Sequence, residues 1–355
     1  MLTHSDLHQL SCSHGLDFGP QPVVSDTGGG DVSETYIVEG NGIRHFIKKI
    51  PMGKLPGQTA PPQAPALEYL DFQEEIVEQL APALPAVAAM RARPPGTKFY
   101  ACSRTHVLLV YPAVAGVSRS DAEVSLAMVK SIARSLRQLH AAQPEFDARL
   151  GRQRLEQFRD LGCSVLHSSI WKFLIRLPLL PHLFPALFSA LTHIASRNVT
   201  LAEAVRDMSA VGICHNDLKP KNVLWQESGE FWIIDWDAVG LFDLAADHLD
   251  TGLSWATHFA DGKLEFDAQK MAAFFQEYPL HDMDKFENSL HLVTVKWCYW
   301  LVFCLRRLFL FQGERGKNTW NIHYATSFIL FLAQDNIRQI LLPNTGPGAL
   351  AADRG

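Results

Sequence analysis

The sequence contains no C-x-x-C pair, no excess of basic charge and no long apolar run free of ionised residues. Its six cysteines, Cys12, Cys102, Cys163, Cys214, Cys298 and Cys304, are scattered. That pattern argues against a zinc centre or a disulfide framework and favours a reducing, cytoplasmic setting. A formal charge of -5 leaves no electrostatic footprint for nucleic acid. The first residues show no basic segment followed by an apolar one, so no secretory signal is expected. Two apolar stretches, 170–194 and 293–311, are cut by Lys172 and Arg176 and by Lys296, Arg306 and Arg307. A membrane span needs about 20 largely uncharged residues, so both are expected to be buried helices, with no stable membrane insertion; the first has surface association as its alternative. What is present is ample apolar material, 47% of 355 residues, enough for one large or two moderate domains.

Residues 213–245, ICHNDLKPKNVLWQESGEFWIIDWDAVGLFDLA, organise the chain. Two short runs rich in β-formers, 223–225 and 231–234, flank Glu227-Ser228-Gly229-Glu230 and read as a β-hairpin. Pairing about that turn sets Val223 opposite Ile234 and Trp225 opposite Trp232, and brings Asn222 beside Asp235. An amide and a carboxylate meeting at one point suit a hard cation: Mg²⁺ takes oxygen ligands, commonly one or two protein groups plus phosphate. Asp217 lies just before, in His215-Asn216-Asp217-Leu218-Lys219-Pro220-Lys221-Asn222, where Pro220 favours a loop over a helix. An Asp of ordinary pKa, about 3.9, is a weak base. Its useful work is to orient a hydroxyl and accept a proton late, which suits phosphoryl transfer.

H-x-D-x-x-x-x-N followed by I-D-W-D resembles the aminoglycoside phosphotransferase and choline kinase family, relatives of the protein kinases. The resemblance implies Asp217 as catalytic base and Asn222 and Asp235 as magnesium ligands. Protein kinases usually carry Arg before the loop Asp and Phe-Gly after the metal Asp. Asn216 and Trp236-Asp237 stand there instead, which favours the small-molecule branch. Asp243-Leu244-Ala245 matches the D-L-A of that branch, where the Asp braces the catalytic loop.

Earlier in the chain, Gly28-Gly29-Gly30 can approach a ligand without side-chain interference, although a triple glycine alone is also an ordinary flexible loop. Residues 35–38 and 45–50 read as strands around a Gly40-Asn41-Gly42 turn. The spacing to Tyr36 and Val38 resembles the family's G-G-x-x-x-x-x-Y-x-V opening, which implies that Gly28, Gly29 and Gly30 cover nucleotide phosphates and that Ser33 offers them its hydroxyl. The same resemblance implies a strand lysine on the α- and β-phosphates. Side chains alternate along a strand, so Lys48 and Lys49 face opposite ways. Lys48 shares a face with Phe46, which could cover the adenine; Lys48 is preferred and Lys49 is the fallback. Residues 66–80 read as a helix with Phe72, Ile76, Val77 and Leu80 buried. Of its candidates to orient the lysine, Glu74 projects nearly opposite Ile76 and Glu75 lies at the stripe's edge, so Glu75 is preferred; a solvated acidic face is the alternative. Residues 106–110 form another strand, and the resemblance places the inter-lobe linker after it, with the backbone around Tyr111 and Val114 pairing with the adenine edge.

Residues 126–140 read as a helix ending in a structural His140. Residues 144–210 form a helical insertion that Pro178, Pro181 and Pro185 break into short pieces. Residues 241–290 carry ten acids, among them Asp247, Asp250, Asp261, Glu265 and Asp267, against three lysines. This is either an ordinary solvated surface or an acidic rim for a cationic substrate. Trp297 and Trp300, three apart, can form one wall of a helix. Core packing is the usual fate of such residues, but W-x-x-W resembles the choline-pocket element of choline kinases. The C-terminus from residue 342 is expected to fray.

The expected fold is α+β, bilobal and protein-kinase-like. A small N-terminal sheet lobe with one helix (1–115) precedes a larger, mainly helical catalytic and substrate-binding lobe (116–355). The expected activity is ATP- and Mg²⁺-dependent phosphotransfer to a hydroxyl of a small, cationic molecule. Asp237 is expected to assist a second metal or buttress the loop, and it joins Asp250, Trp297 and Trp300 on the substrate side. A choline or ethanolamine kinase, a protein kinase and a non-catalytic nucleotide-binding protein are the alternatives.

Overall fold

A computed structural model describes residues 1–28, 33–54, 65–84, 86–87, 98, 100–146, 150–152, 155–156, 158–160, 175–178, 180–208, 211–280, 285–310 and 314–342. The expected fraying from residue 343 onward and much of the 144–210 insertion lie outside these residues. The chain divides into two units. One comprises residues 1–118, 144–151 and 223–237, and the other comprises 119–143, 152–222 and 238–355.

The first unit is built on an antiparallel sheet of five strands in the order β1-β2-β3-β5-β4. The strands are β1 (Val23–Asp26), β2 (Glu34–Gly40), β3 (Ile43–Pro51), β4 (Tyr100–Cys102) and β5 (His106–Pro112). Gly40 pairs with Ile43 across a two-residue turn. Asn41 and Gly42 both take positive φ, 47° and 73°, the left-handed pair that a tight hairpin of this twist requires. Alternation along the strands gives the sheet two apolar faces. Tyr36, Val38, Ile47 and Leu108 pack with Leu7 and Leu10 of helix α1 (His4–His14). Ile50, Val107 and Leu109 pack with Leu70 of α2 (Pro65–Leu80).

A second sheet in this unit joins β6 (Val117–Ser118) to the hairpin of β7 (Val223–Trp225) and β8 (Phe231–Ile233). Val223 pairs with Ile233 and Trp225 with Phe231, one residue away from the register expected from the sequence. The cause is the turn. Gly229 adopts φ 86°, and Gln226 and Glu230 close a three-residue loop through the Gln226 N–H and the Glu230 carbonyl at 2.8 Å. A glycine in the left-handed region at the end of a three-residue loop shifts pairing by one place.

The second unit is mainly helical. It holds α3 (Leu126–Ala142), α4 (Pro185–Arg206), α5 (Leu244–Ala256), α6 (Ala268–Glu277), α7 (Phe286–Phe309) and α8 (Arg315–Leu332). One apolar core runs through α4, α5, α7 and α8, with Leu191, Ile194, Leu249, Leu253, Val293, Leu301, Phe328 and Ile329 fully buried. Pro185 does not break the insertion as expected. It stands at the start of a 22-residue helix, where its missing N–H has no partner to lose. No helix among the described residues is long and apolar enough to cross a membrane.

Candidate functional site

In the first unit, alternation along β3 separates its two lysines. Lys49 donates to Asp6 of α1 at 2.8 Å. Lys48, on the other face with Phe46, donates to Asp235 at 2.9 Å and to Asp237. Burial opposes the Lys48 ammonium, but the carboxylates of Asp237 and then Asp235 outweigh it and hold its pKa above the usual lysine range. Burial pushes the Asp237 carboxyl upward and Asp235 adds to this, against the pull of Lys48. Two carboxylates therefore converge on one ammonium.

Local backbone places these acids. Asp235 leaves β8 with φ 62°, a left-handed conformation in which Asp is one of the tolerated residues. A 3₁₀ turn, Trp236–Ala238, follows, pinned by the Trp236 indole N–H on the Ile233 carbonyl at 3.1 Å. The Tyr69 hydroxyl of α2 holds the Asp237 carbonyl at 2.7 Å.

The glutamate expectation needs correction. Glu74 is buried and Glu75 is exposed. From Phe72 onward helix α2 is covered on Phe72, Gln73, Glu74, Ile76, Val77 and Leu80, and Glu75, Glu78 and Gln79 meet solvent. Among the described residues, the carboxylates hydrogen-bonded to Lys48 are those of Asp235 and Asp237. Gly28 takes φ 88°, and its N–H donates to Asp26 at 2.7 Å. Gly29 and Gly30 lie outside the described residues. Ser33 is buried, with no hydrogen-bond partner for its hydroxyl among the described residues. Tyr111, the last residue but one of β5, lies beside Phe46, ring centroids 6.1 Å apart, and Val114 follows half-buried.

In the second unit, the strand Val211–Cys214 pairs antiparallel with Gly240–Asp243 and delivers the chain into the loop around Asp217. Asn216 takes φ 63°, and its amide donates to the carbonyls of Ala238 at 3.0 Å and Gly240 at 3.3 Å. The Asp217 N–H donates to His215 Nδ1 at 3.3 Å, and the Trp255 indole holds the Leu218 carbonyl at 3.0 Å. Pro220 begins a 3₁₀ turn, Pro220–Asn222, rather than an open loop. That turn returns Asn222 onto Asp217: its Nδ2 donates to the Asp217 carbonyl at 2.7 Å and to Oδ2 at 2.9 Å. Lys219 pairs with the other carboxylate oxygen.

Asp243 caps α5 through the Ala245 and Ala246 N–H groups, both at 3.0 Å. The acid that accepts the Asn216 N–H, at 3.2 Å, is Asp247. Its other oxygen meets His140 Nε2 at 3.0 Å, and the Tyr278 hydroxyl lies 2.9 Å from His140 Nδ1. Burial disfavours the Asp247 carboxylate, yet the His140 bond and charge prevail and hold its pKa below the usual range. His140, Cys214 and Asp247 have ligand atoms within 4.8 Å of one another, but each is engaged within the protein, Cys214 with the carbonyls of Gly212 and Phe242. Sequence reasoning counted Asp247 in an acidic rim and missed its bracing role; its signal is an acid that falls on the buried face of α5.

The acidic bias of 241–290 resolves in part as an ordinary solvated surface, with Asp261 and Glu265 exposed, and in part differently. Asp243 and Asp267 cap helices, and Asp247 braces the loop. Asp250 is buried and accepts from Lys296 at 2.6 Å and from the Trp297 indole at 3.1 Å. Trp297 and Trp300 do not make one wall. Trp297 stacks on Phe328 of α8 at 4.1 Å, whereas Trp300 stacks on Phe303 of its own helix at 5.2 Å.

A family model described as the phosphotransferase enzyme family matches residues 27–283. No curated protein sequence matches the chain significantly. Among solved structures, a spectinomycin phosphotransferase aligns over 94% of this chain and 99% of its own, with 13% identity and a TM-score of 0.60. An amicoumacin kinase aligns over 92% and 93%, with 14% identity and a TM-score of 0.65. An ethanolamine kinase of Plasmodium vivax aligns over 95% and 91%, with 12% identity and a TM-score of 0.58. These likenesses show the protein-kinase-like fold. With the family model spanning well over half of its length, the chain belongs to the phosphotransferase enzyme family and is an enzyme of the kinase type.

Proposed function

We propose that this enzyme transfers the γ-phosphoryl group of ATP to a hydroxyl of a small molecule, with Mg²⁺ as the metal. The observation that carries the reading is the Asn222–Asp217 pair. The Asn222 amide nitrogen is engaged by Asp217, which leaves its side-chain oxygen as a ligand for a hard cation. Asp217 acts as the base: Lys219 and Asn222 orient its carboxylate, which positions an alcohol and takes its proton late in transfer. Asn222 and Asp235 serve as metal ligands. Asp235 and Asp237, gathered by Lys48, are oxygen donors of the kind a divalent ion takes, and such an ion supplies neutralisation of the triphosphate when bound. Asp237 assists it, or buttresses the turn through Tyr69.

Lys48 serves the inner phosphates. Gly28, Gly29 and Gly30 serve the same phosphates, and Ser33 offers a hydroxyl that has no partner among the described residues. The backbone near Tyr111 and Val114 pairs with adenine. Positioning and charge neutralisation supply most of the catalysis in such transfers. Five free cysteines among the described residues support a reducing, cytoplasmic setting.

A coupled ADP-release screen over small alcohols, run with and without Mg²⁺ beside Asp217→Asn, tests the reading. Acceptor-dependent, Mg²⁺-dependent ADP release that the variant loses is the expected result. ADP release indifferent to Mg²⁺ and to Asp217 rejects it.

A further inference from the structure

The second unit carries an aromatic ladder that the phosphotransfer reading does not use. Trp320 of α8, 49% exposed, stacks on Tyr324 at 5.3 Å. Tyr324 meets Trp297 edge-on at 5.1 Å, and Trp297 stacks on Phe328. Phe259, from the Thr257–Ala260 strand, packs on both Trp320 and Tyr324, at 5.4 and 5.3 Å. The ladder therefore runs from an exposed indole to Trp297, whose N–H binds Asp250.

Asp250 is the carboxylate that an acceptor ammonium would seek at the end of that ladder, and it is occupied. Lys296 Nζ sits 2.6 Å from it and 5.8 Å from the Phe242 ring centroid. Two neighbouring acids of this unit have partners as well, and a third lies among cations. Asp217 pairs with Lys219, and Asp247 is bonded to His140. Asp121 stands in the field of His258, Lys270, Lys219 and Lys221. Burial disfavours the Lys296 ammonium, but Asp250, Asp247 and Asp217 more than offset this and keep its pKa above the usual lysine range. Lys296 thus lies in the field of the carboxylate assigned as base.

We propose that Lys296 determines acceptor specificity: it fills Asp250 from within the protein, so that the aromatic ladder receives an uncharged, ring-bearing alcohol and a cationic one is refused. A flat or pyranose-type ring gains its contact chiefly from the exposed Trp320 indole, beside the half-buried Tyr324, without any charge of its own. A quaternary ammonium would find the aromatic faces but would meet the Lys296 charge beside them. The inference rests on the assignment of Asp217 as base, which places the acceptor in this unit.

The test is equilibrium binding by tryptophan fluorescence, with choline and phenyl β-glucoside as probes, on the full-length protein. For the wild type we expect saturable quenching by phenyl β-glucoside, lost in Trp320→Ala, and weak binding of choline. In Lys296→Met, choline should bind roughly ten-fold tighter or more, because the buried Asp250 carboxylate has lost its cationic partner. Lys296→Met with Asp250→Asn should return choline to the wild-type level. Choline binding by the wild type as tight as by Lys296→Met overturns the proposal, and so does a gain that survives Asp250→Asn. Should Lys296→Met, left with a buried carboxylate that lacks its cation, not fold, the wild type alone decides: choline binding tighter than phenyl β-glucoside binding overturns the proposal. Mg-ATP binding, followed separately by thermal shift, reports on the phosphotransferase reading alone.

Discussion

Asn222 grips Asp217 twice, through the carbonyl at 2.7 Å and the carboxylate at 2.9 Å. One amide thereby fixes both the backbone turn and the direction of the carboxylate. An oxygen at either carboxylate position satisfies that grip, so Asp217→Asn preserves the loop while removing the proton acceptor. Its turnover should fall by ~10²–10⁴, with Mg-ATP affinity nearly unchanged. Steady-state kinetics beside nucleotide titration will show it, and retained turnover would remove Asp217 from its role.

Asp235→Ala should act on the nucleotide instead. Lys48 keeps Asp237 as a partner, so the sheet unit should still fold, while the metal loses an oxygen ligand. ATP affinity measured with and without Mg²⁺ should lose its magnesium dependence. A variant whose affinity still rises with Mg²⁺ as in the wild type would contradict the metal assignment.

Asp6 supplies a pH test of stability. It is buried, accepts from Lys49 and from the Thr3 N–H at 2.9 Å, and lies 2.8 Å from His106 Nε2. Burial disfavours its charge, but the bonds from Lys49 and Thr3 win, and its pKa falls from 3.8 to about 2. A depressed carboxylate pKa stabilises the fold above the unfolded value and loses that contribution as pH falls through the folded one. The contribution is on the order of 2 kcal/mol near neutrality. The stability gap between wild type and Asp6→Asn, read from urea midpoints, should be full above about pH 5 and close towards about pH 2. A gap that stays constant with pH would show that the charge contributes nothing.

Gly40→Ala should damage the first unit. An added methyl would sit 1.9 Å from the Phe18 carbonyl oxygen and 2.6 Å from its carbon, and backbone cannot step aside as a side chain can. Overpacking costs typically ~1–3 kcal/mol, occasionally more. Thermal denaturation should show the loss, whereas Gly262→Ala, where nothing lies within 4 Å but φ is 75°, should cost less.

Much of the architecture is legible in the residues alone, because period and turn chemistry act locally. The strands around Asn41-Gly42, the helix over Pro65–Leu80 and the helix over Leu126–Ala142 follow from alternation, helical periodicity and a positive-φ turn. The opposite facing of Lys48 and Lys49 follows from the pleat. Other features depend on tertiary partners that no window of sequence contains. The hairpin register turned on whether Gly229 closes the loop in two residues or three. Glu74 is buried because α2 is covered on most of its circumference, which its apolar stripe understates. The charge count of 241–290 could not distinguish acids facing water from acids that cap helices, brace Asn216 or pair with Lys296.

The leading helix deserves a practical consequence. Removing His4–His14 to obtain a trimmer protein would strip Lys49 and His106 of Asp6 and uncover the sheet surface that Leu7 and Leu10 occupy. Such a shortened chain should be sticky and prone to aggregate, and a loss of phosphotransfer in it would report on solubility rather than on chemistry.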